Sequence, residues 1–88
     1  MHFREIRYSA EVEDKLRYKH HVDMSEVEEA VSGAARIRRG PGARRMVLGR
    51  TGEGRYLFVV VMDLGRGVCE VRTARDMDES EKRLYWRR

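Results

Sequence analysis

Cysteine occurs once in the 88 residues, at Cys69, and proline once, at Pro41. One thiol makes neither an internal disulfide framework nor a cysteine-rich zinc ribbon. Long apolar runs are missing too. The longest, Tyr56–Met62, falls far short of the roughly 20 residues that span a bilayer, so no membrane role is expected. The first residues, MHFREIRYSAEVEDK, hold no apolar stretch of the kind a secretory signal uses, and the expected setting is the cytoplasm. The adjacent His20 and His21 diverge on a helix, and no HxxxH or CxxC spacing occurs, so neither a metal nor any other cofactor is expected. Gly40-Pro41-Gly42 and Gly52-Glu53-Gly54 read as turns, since neither opens a helix with phosphate-loop spacing. Internal repeats and low-complexity linkers are absent, which leaves a single domain over residues 1–88 with a modest core.

Lysine is lacking where the charge is densest. Residues 36–75 contain ten arginines, no lysine and three acids. Residues 1–35 carry five basic against eight acidic side chains, and residues 76–88 balance at four against four. The net charge of +4 therefore comes from the middle of the chain. Arginine forks match phosphate geometry, whereas lysine serves equally well for solubility. An arginine-rich genome would raise the count without a function, but it would scatter the residues instead of clustering them. The pattern implies a polyanionic partner, RNA or another nucleic acid. Arg36, Arg38, Arg39, Arg44 and Arg45 read as its electrostatic footing, joined by Arg55 and Arg72 on the strands that follow.

Periodicity places the elements. Residues 2–8 alternate and suit a first strand. Ser9 caps a helix over about 10–18, with Val12 and Leu16 as its buried stripe. Asp23 and Glu26 form a capping box for a second helix over 24–32, whose apolar face is Met24, Val27, Ala30 and Val31. Residues 36–45, RIRRGPGARR, read as a basic loop. Strands are expected at 46–50, at 55–62 and at 68–75, joined by turns at 51–54 and 64–67. The middle one, RYLFVVVM, is apolar on both faces and should be central. In the last, strict alternation would put Cys69, Val71, Thr73 and Arg75 on one face. Asp78 and Glu81 form another capping box, opening a C-terminal helix over 79–86. The fold class is α+β: an antiparallel sheet of three to four strands, two N-terminal helices and a short C-terminal helix. The helices should share one face and leave arginines on the other.

Several of these pieces, taken in order, resemble one family. They are Lys19-His20 before a capped helix, Glu28-Glu29-Ala30, Gly49-Arg50-Thr51, Gly54-Arg55-Tyr56-Leu57-Phe58-Val59-Val60, Thr73-Ala74-Arg75, Glu81 and Tyr85. The set is similar to the BrnT family, toxins of type II toxin–antitoxin pairs with a RelE-like ribonuclease fold. The match runs without a gap from about residue 44 to 85 and more loosely upstream. It implies an endoribonuclease, a cognate antitoxin protein, and contact with operator DNA only through the antitoxin complex. His21 stands where the family has glycine after Lys-His, Tyr8-Ser9 replaces an aromatic–acid pair, and Glu70 stands where arginine is frequent. If that glycine serves a positive φ, His21 must carry the same geometry.

Metal-independent RNA cleavage by 2′-OH attack needs a base, an acid and cations for the phosphorane. Histidine is the side chain that ordinarily titrates near neutral pH, which makes His20 the acid–base candidate; otherwise it serves to end the first helix. Arg75, at a strand end, would hold the scissile phosphate or else pair with Asp76 or Asp78. Arg50 would be a second clamp or a solvated turn residue. Tyr85 would donate a proton or stack on a base, or pack with Leu84 and Trp86. Lys19 would contact phosphate or influence His20, or else stand solvated as a single lysine. A non-catalytic RNA- or protein-binding module on the same basic sheet is the alternative. A homodimer through an edge strand or apolar surface is a further expectation.

Replacing Arg36, Arg38, Arg39, Arg44 and Arg45 in pairs should weaken RNA binding and lower the slope of log affinity against log salt, by about one for each phosphate no longer neutralised. An unchanged slope removes them from the interface.

Overall fold

Eight elements follow one another along residues 3–87, the part of the chain that the computed structural model describes. The first is a strand, β1 (Glu5–Arg7), and the chain then enters helix α1 (Ala10–His20). Ser9 caps α1 by accepting the Val12 N–H at 3.1 Å. Its one buried residue is Leu16, and Val12 packs partly against the same core. The helix stops because His21 turns left-handed, with φ 54° and ψ 41°. That twist sends the N–H groups of His21 and Val22 back to the Leu16 carbonyl. The geometry expected of a glycine there is thus carried by a histidine, a conformation that costs a residue with a Cβ about 1–2 kcal/mol.

Asp23 then caps helix α2 (Met24–Ser32) with the expected box, the Asp23 N–H donating to Glu26 Oε1 at 3.0 Å. Met24, Val27, Ala30 and Val31 are buried, as the spacing predicts. Strands β2 (Arg36–Arg39), β3 (Arg44–Arg50), β4 (Tyr56–Gly65) and β5 (Val68–Asp76) follow, and helix α3 (Glu79–Trp86) closes the described chain. No helix among the described residues is long and apolar enough to cross a membrane.

The sheet has five strands in the order β1-β5-β4-β3-β2 and is mixed, against the expected antiparallel sheet of three to four. Two features account for the difference. The stretch read as a basic loop contains an edge strand: Arg36–Arg39 pairs antiparallel with β3, Ile37 opposite Val47 and Arg39 opposite Arg45. Three arginines in four residues hide its strand character, but such charges suit an edge that must not pair further. At the other edge, β1 runs parallel to β5, with Ile6 opposite Cys69, and a three-residue strand announces no partner.

The core lies between the sheet and the α1–α2 layer. Leu16, Val22, Val27 and Val31 pack against Val47, Leu57, Val59, Val61, Cys69, Val71 and Ala74. Along β5 the alternation slips once. Val60 faces Thr73 while its neighbour Val61 faces Val71, so Arg72 is an extra residue with no partner on β4. The slip overturns the strict alternation. Val71 and Ala74 both point into the core, whereas Thr73 and Arg75 lie on the opposite face beside Val60 and Phe58. That opposite face is not wholly open either. Helix α3 packs across its end, setting Tyr85 and Trp86 against Tyr56. The expectation that all helices share one face therefore fails, and Leu48, opposite Phe58 on this second face, is nearly fully buried.

At Gly49 the backbone of α2 lies directly against β3. A Cβ there would run into the backbone of Ala30, at its carbonyl oxygen and carbon. Gly49→Ala should therefore destabilise the protein by about 1–3 kcal/mol, read as a lowered midpoint in urea with an unchanged slope. Unaltered stability would mean that α2 shifts freely on β3.

Candidate active site

At one end of the sheet three strand ends meet. Arg50 closes β3 opposite Tyr56, and Phe58 lies opposite Arg75 near the end of β5. Cross-strand partners share a face, so these four side chains project together on the face away from α1 and α2. The guanidinium of Arg50 lies 5.5 Å from the Tyr56 ring centre, and that of Arg75 lies 4.3 Å from the Phe58 ring centre. From α3, Tyr85 and Trp86 meet Tyr56 edge to face at 5.9 and 6.0 Å, and each other at 5.4 Å. Lys82 Nζ approaches the Tyr56 ring centre at 5.8 Å. Tyr85 donates its hydroxyl proton to the Ala34 carbonyl at 3.2 Å. The result is a rim of alternating cations and aromatic rings, a contact type worth about 0.5–1 kcal/mol per pair when exposed.

Arg75 is held by an acid. Its Nη1 and Nη2 donate in parallel to the two carboxylate oxygens of Glu81, both at 2.8 Å, and Nη1 also reaches the Asp76 carbonyl at 3.0 Å. The partner expected for Arg75 was Asp76 or Asp78; the carboxylate that takes it is Glu81. Glu81 also completes the box that starts α3, accepting the Asp78 N–H at 2.9 Å. The Arg75 fork, and the Asp78 N–H after it, hold the Glu81 carboxyl below its ordinary value of 4.5 despite partial burial. Glu81 in turn raises Arg75. Asp78 is lowered by the backbone N–H of Glu81 and then by the Ser80 hydroxyl.

Arg55 is more fully engaged. Its Nε and Nη2 donate to the two oxygens of Asp76 at 2.7 and 3.2 Å. Its Nη1 donates to the His21 carbonyl at 2.8 Å and to Glu26 at 3.1 and 3.3 Å, and Nη2 also reaches the His20 carbonyl at 3.4 Å. This guanidinium thus joins the end of α1 to the start of α2 and the end of β5. Asp76 is lowered from 3.8 by the hydrogen bond from Arg55, and Arg55 is raised chiefly by Asp76. His20 meets Arg55 through its carbonyl, on the α1 layer, while Arg50 and Arg75 project from the far face of the sheet. Lys19 beside it is exposed.

The remaining basic residues divide by face. Arg36 and Arg38 pair with Leu48 and Met46 and share the face of Arg50 and Arg75, as does Arg44, opposite Met62. Arg39 and Arg45 lie opposite each other on the α1–α2 side. Arg45 is mostly buried, donating to the Gly42 and Arg44 carbonyls at 3.0 and 2.9 Å and lying 3.8 Å from Asp63. Arg72, on its bulge, is exposed with Glu70 at 3.4 Å. Tyr56, Phe58, Glu81, Lys82 and Trp86 join the rim without having been singled out for it. The turn at 51–54 makes the Arg50–Tyr56 pairing readable in retrospect, whereas the bulge hides the partnership of Phe58 with Arg75.

Cys69 supplies no nucleophile: it is fully buried, and burial, aided by the charge of Asp63, pushes its thiol up to about 11. Among the described residues no three His, Cys, Asp or Glu side chains gather as a metal would require.

No family model matches the chain. No curated protein matches it either. Among solved structures it is similar to the ribonuclease toxin BrnT of Brucella abortus, with a TM-score of 0.71 at 17% sequence identity, over 85% of this chain and 97% of that one. The chain is BrnT-like in fold, in keeping with the resemblance carried by its motifs.

The two arginine–carboxylate clusters predict acid sensitivity. Asp76 and Glu81 have lower pKa values folded than unfolded, so below their ordinary values of 3.8 and 4.5 the unfolded chain binds more protons. Their contribution is complete above about pH 5 and is lost as pH falls through the folded values. At pH 7, Arg55→Ala should cost about 1–2 kcal/mol in urea unfolding, because it leaves two carbonyls and the partly buried Glu26 short of a donor, while water serves the exposed Asp76. The difference from the unmodified protein should shrink by pH 3, and a gap independent of pH would assign the effect to packing alone.

Proposed function

We propose that the protein is a metal-independent endoribonuclease toxin of a type II toxin–antitoxin pair. The observation that carries this reading is the likeness of fold to a ribonuclease toxin along nearly the whole of that toxin's length. The charge distribution supports it. Arg36, Arg38, Arg44 and Arg50 share one sheet face, and a strand of phosphates laid across that face would meet them in succession.

In this reading Arg50 and Arg75 stabilise the charge that grows on the phosphorane as the 2′-OH attacks. Arg50 is exposed and stacked on Tyr56, oriented without being neutralised. Arg75 is fixed by Glu81 and retains its Nε for a phosphate oxygen. Glu81, held ionised by that arginine, is too weak a base to take a hydroxyl proton near neutral pH. Proton transfer then falls to His20, with Lys19 beside it, and to Tyr85 once substrate replaces Ala34 as its partner. Arg39, Arg45, Arg55 and Arg72 add to the field that draws RNA in, Arg45 and Arg55 from fixed positions within the fold. The cognate antitoxin would cover the basic face, and that complex would bind operator DNA in the cytoplasm. The outer edge of β1 offers a route to a homodimer.

A second reading, a non-catalytic RNA- or protein-binding module, is favoured by one observation. His20 belongs to the α1 layer while Arg50 and Arg75 belong to the other face, and the Arg75 fork is already filled. Cleavage separates the two readings. Expression of the unmodified protein should arrest growth and its RNA should be cut. His20→Ala should reduce cleavage about 10²–10⁴-fold, and Arg75→Ala should relieve arrest, with the fold retained by circular dichroism. Arg75→Lys controls for the acid left unpartnered. A protein that neither arrests growth nor cuts RNA at high concentration is the binding module.

A further inference from the structure

Beside the rim, with Tyr56 shared between the two, a groove of about 800 Å³ runs along α3. Tyr56, Leu84 and Trp86 form its apolar wall, and Lys82, Arg83 and Arg87 stand around it. No carboxylate lines it among the described residues. Trp86 is 58% exposed, the most exposed of the rings at this end of the sheet, although its edge is anchored against Tyr56 and Tyr85. The exposed indole continues into Tyr56 and Leu84 along the groove, so the apolar surface is contiguous and not one scattered ring, and cations stand around it. Packing explains the anchored edge of the indole and leaves its exposed area without a partner.

We propose that this groove is a base-stacking subsite for single-stranded RNA, in which a nucleobase lies against Trp86 and its flanking phosphates meet Lys82 and Arg87. The chemistry matches what single strands require: an aromatic plane that accepts any base, and positive charge spaced to follow a backbone. Lys82 is poised for this, with Nζ over Tyr56, Glu79 at 3.6 Å and Asp76 near enough to feel its charge. Tyr56 joins the groove to the proposed reaction centre, because Arg50 lies over the same ring. A base held on Trp86 would thus place the neighbouring phosphate towards Arg50. The choice of RNA as occupant rests on the ribonuclease reading; the stacking geometry does not.

The chain contains a single tryptophan, so its emission reports this groove alone. The unmodified protein would be titrated with a fully 2′-O-methylated oligoribonucleotide of about eight residues, which cannot be cleaved. An abasic oligomer carrying the same phosphates is the comparison. Quenching by the first and not by the second is the expected result. In anisotropy with a labelled oligomer, Trp86→Ala should bind about tenfold or more weakly, while Trp86→Phe stays within about threefold. Equal quenching by the abasic oligomer, or unchanged affinity in Trp86→Ala, overturns the subsite. Stronger quenching by an acidic peptide overturns it in favour of a protein surface. Quenching without cleavage of ordinary RNA retains the subsite and removes the ribonuclease, and cleavage without quenching does the reverse.

Discussion

A single guanidinium holds the layers of this fold in register. Arg55 sends its donors to Asp76 at the end of β5, to Glu26 in the first turn of α2, and to the carbonyls of His20 and His21 where α1 stops. The two carbonyls and the partly buried Glu26 would otherwise be poorly served, whereas Asp76 is open to water. Carbonyls at a helix end have no intrahelical partner, and a carboxylate in a half-buried seam needs a cation. The fork answers both needs, with a planar geometry that lysine could not reproduce. The left-handed turn at His21 is part of the same arrangement, since it brings two consecutive carbonyls within reach of one side chain.

The second cluster repeats the device. Glu26 and Glu81 each occupy the third position of a helix, and each closes a capping box with the aspartate before it. Each also reaches outward to an arginine at the sheet, Arg55 just before β4 and Arg75 on β5. A capping residue is thereby used twice, once to start a helix and once to fasten it to the sheet. Loss of either glutamate would loosen both connections together, so the two contributions are not additive.

This double use explains what could and could not be read from the residues in order. Both capping boxes, the buried face of α2 and the central strand β4 are local patterns, and all stand in the structure where spacing put them. The likeness of motifs from Gly49 to Tyr85 pointed to the fold that the solved toxin shares. What escaped was non-local. One unpaired residue at Arg72 reverses the face of everything after it, so Arg75 could be placed only once the pairing of β4 with β5 was known. The edge strand β2 was concealed by its own charge, and β1 by its brevity. Arg55 looked like one more ligand for phosphate because its partners lie 21 to 35 residues away in sequence. Clustering in sequence located the basic region correctly; it could not distinguish an arginine offered to a ligand from one consumed by the fold.

The parallel strand at the sheet edge has a kinetic meaning. Arg4 donates through Nε to the carbonyl of Arg66, 62 residues along, and β1 then zips onto β5 from Glu5 opposite Val68. Every other strand pair is joined by a short turn and can form soon after its second strand emerges. The first strand to be synthesised has to wait for the last. Until β5 is in place, β1 has no strand to pair with and the β5 side of the core lies open. A chain whose hairpins form before β1 docks would have its hairpins without its seal. A binding partner or a chaperone acting at that stage would meet a different surface from the one the finished fold displays.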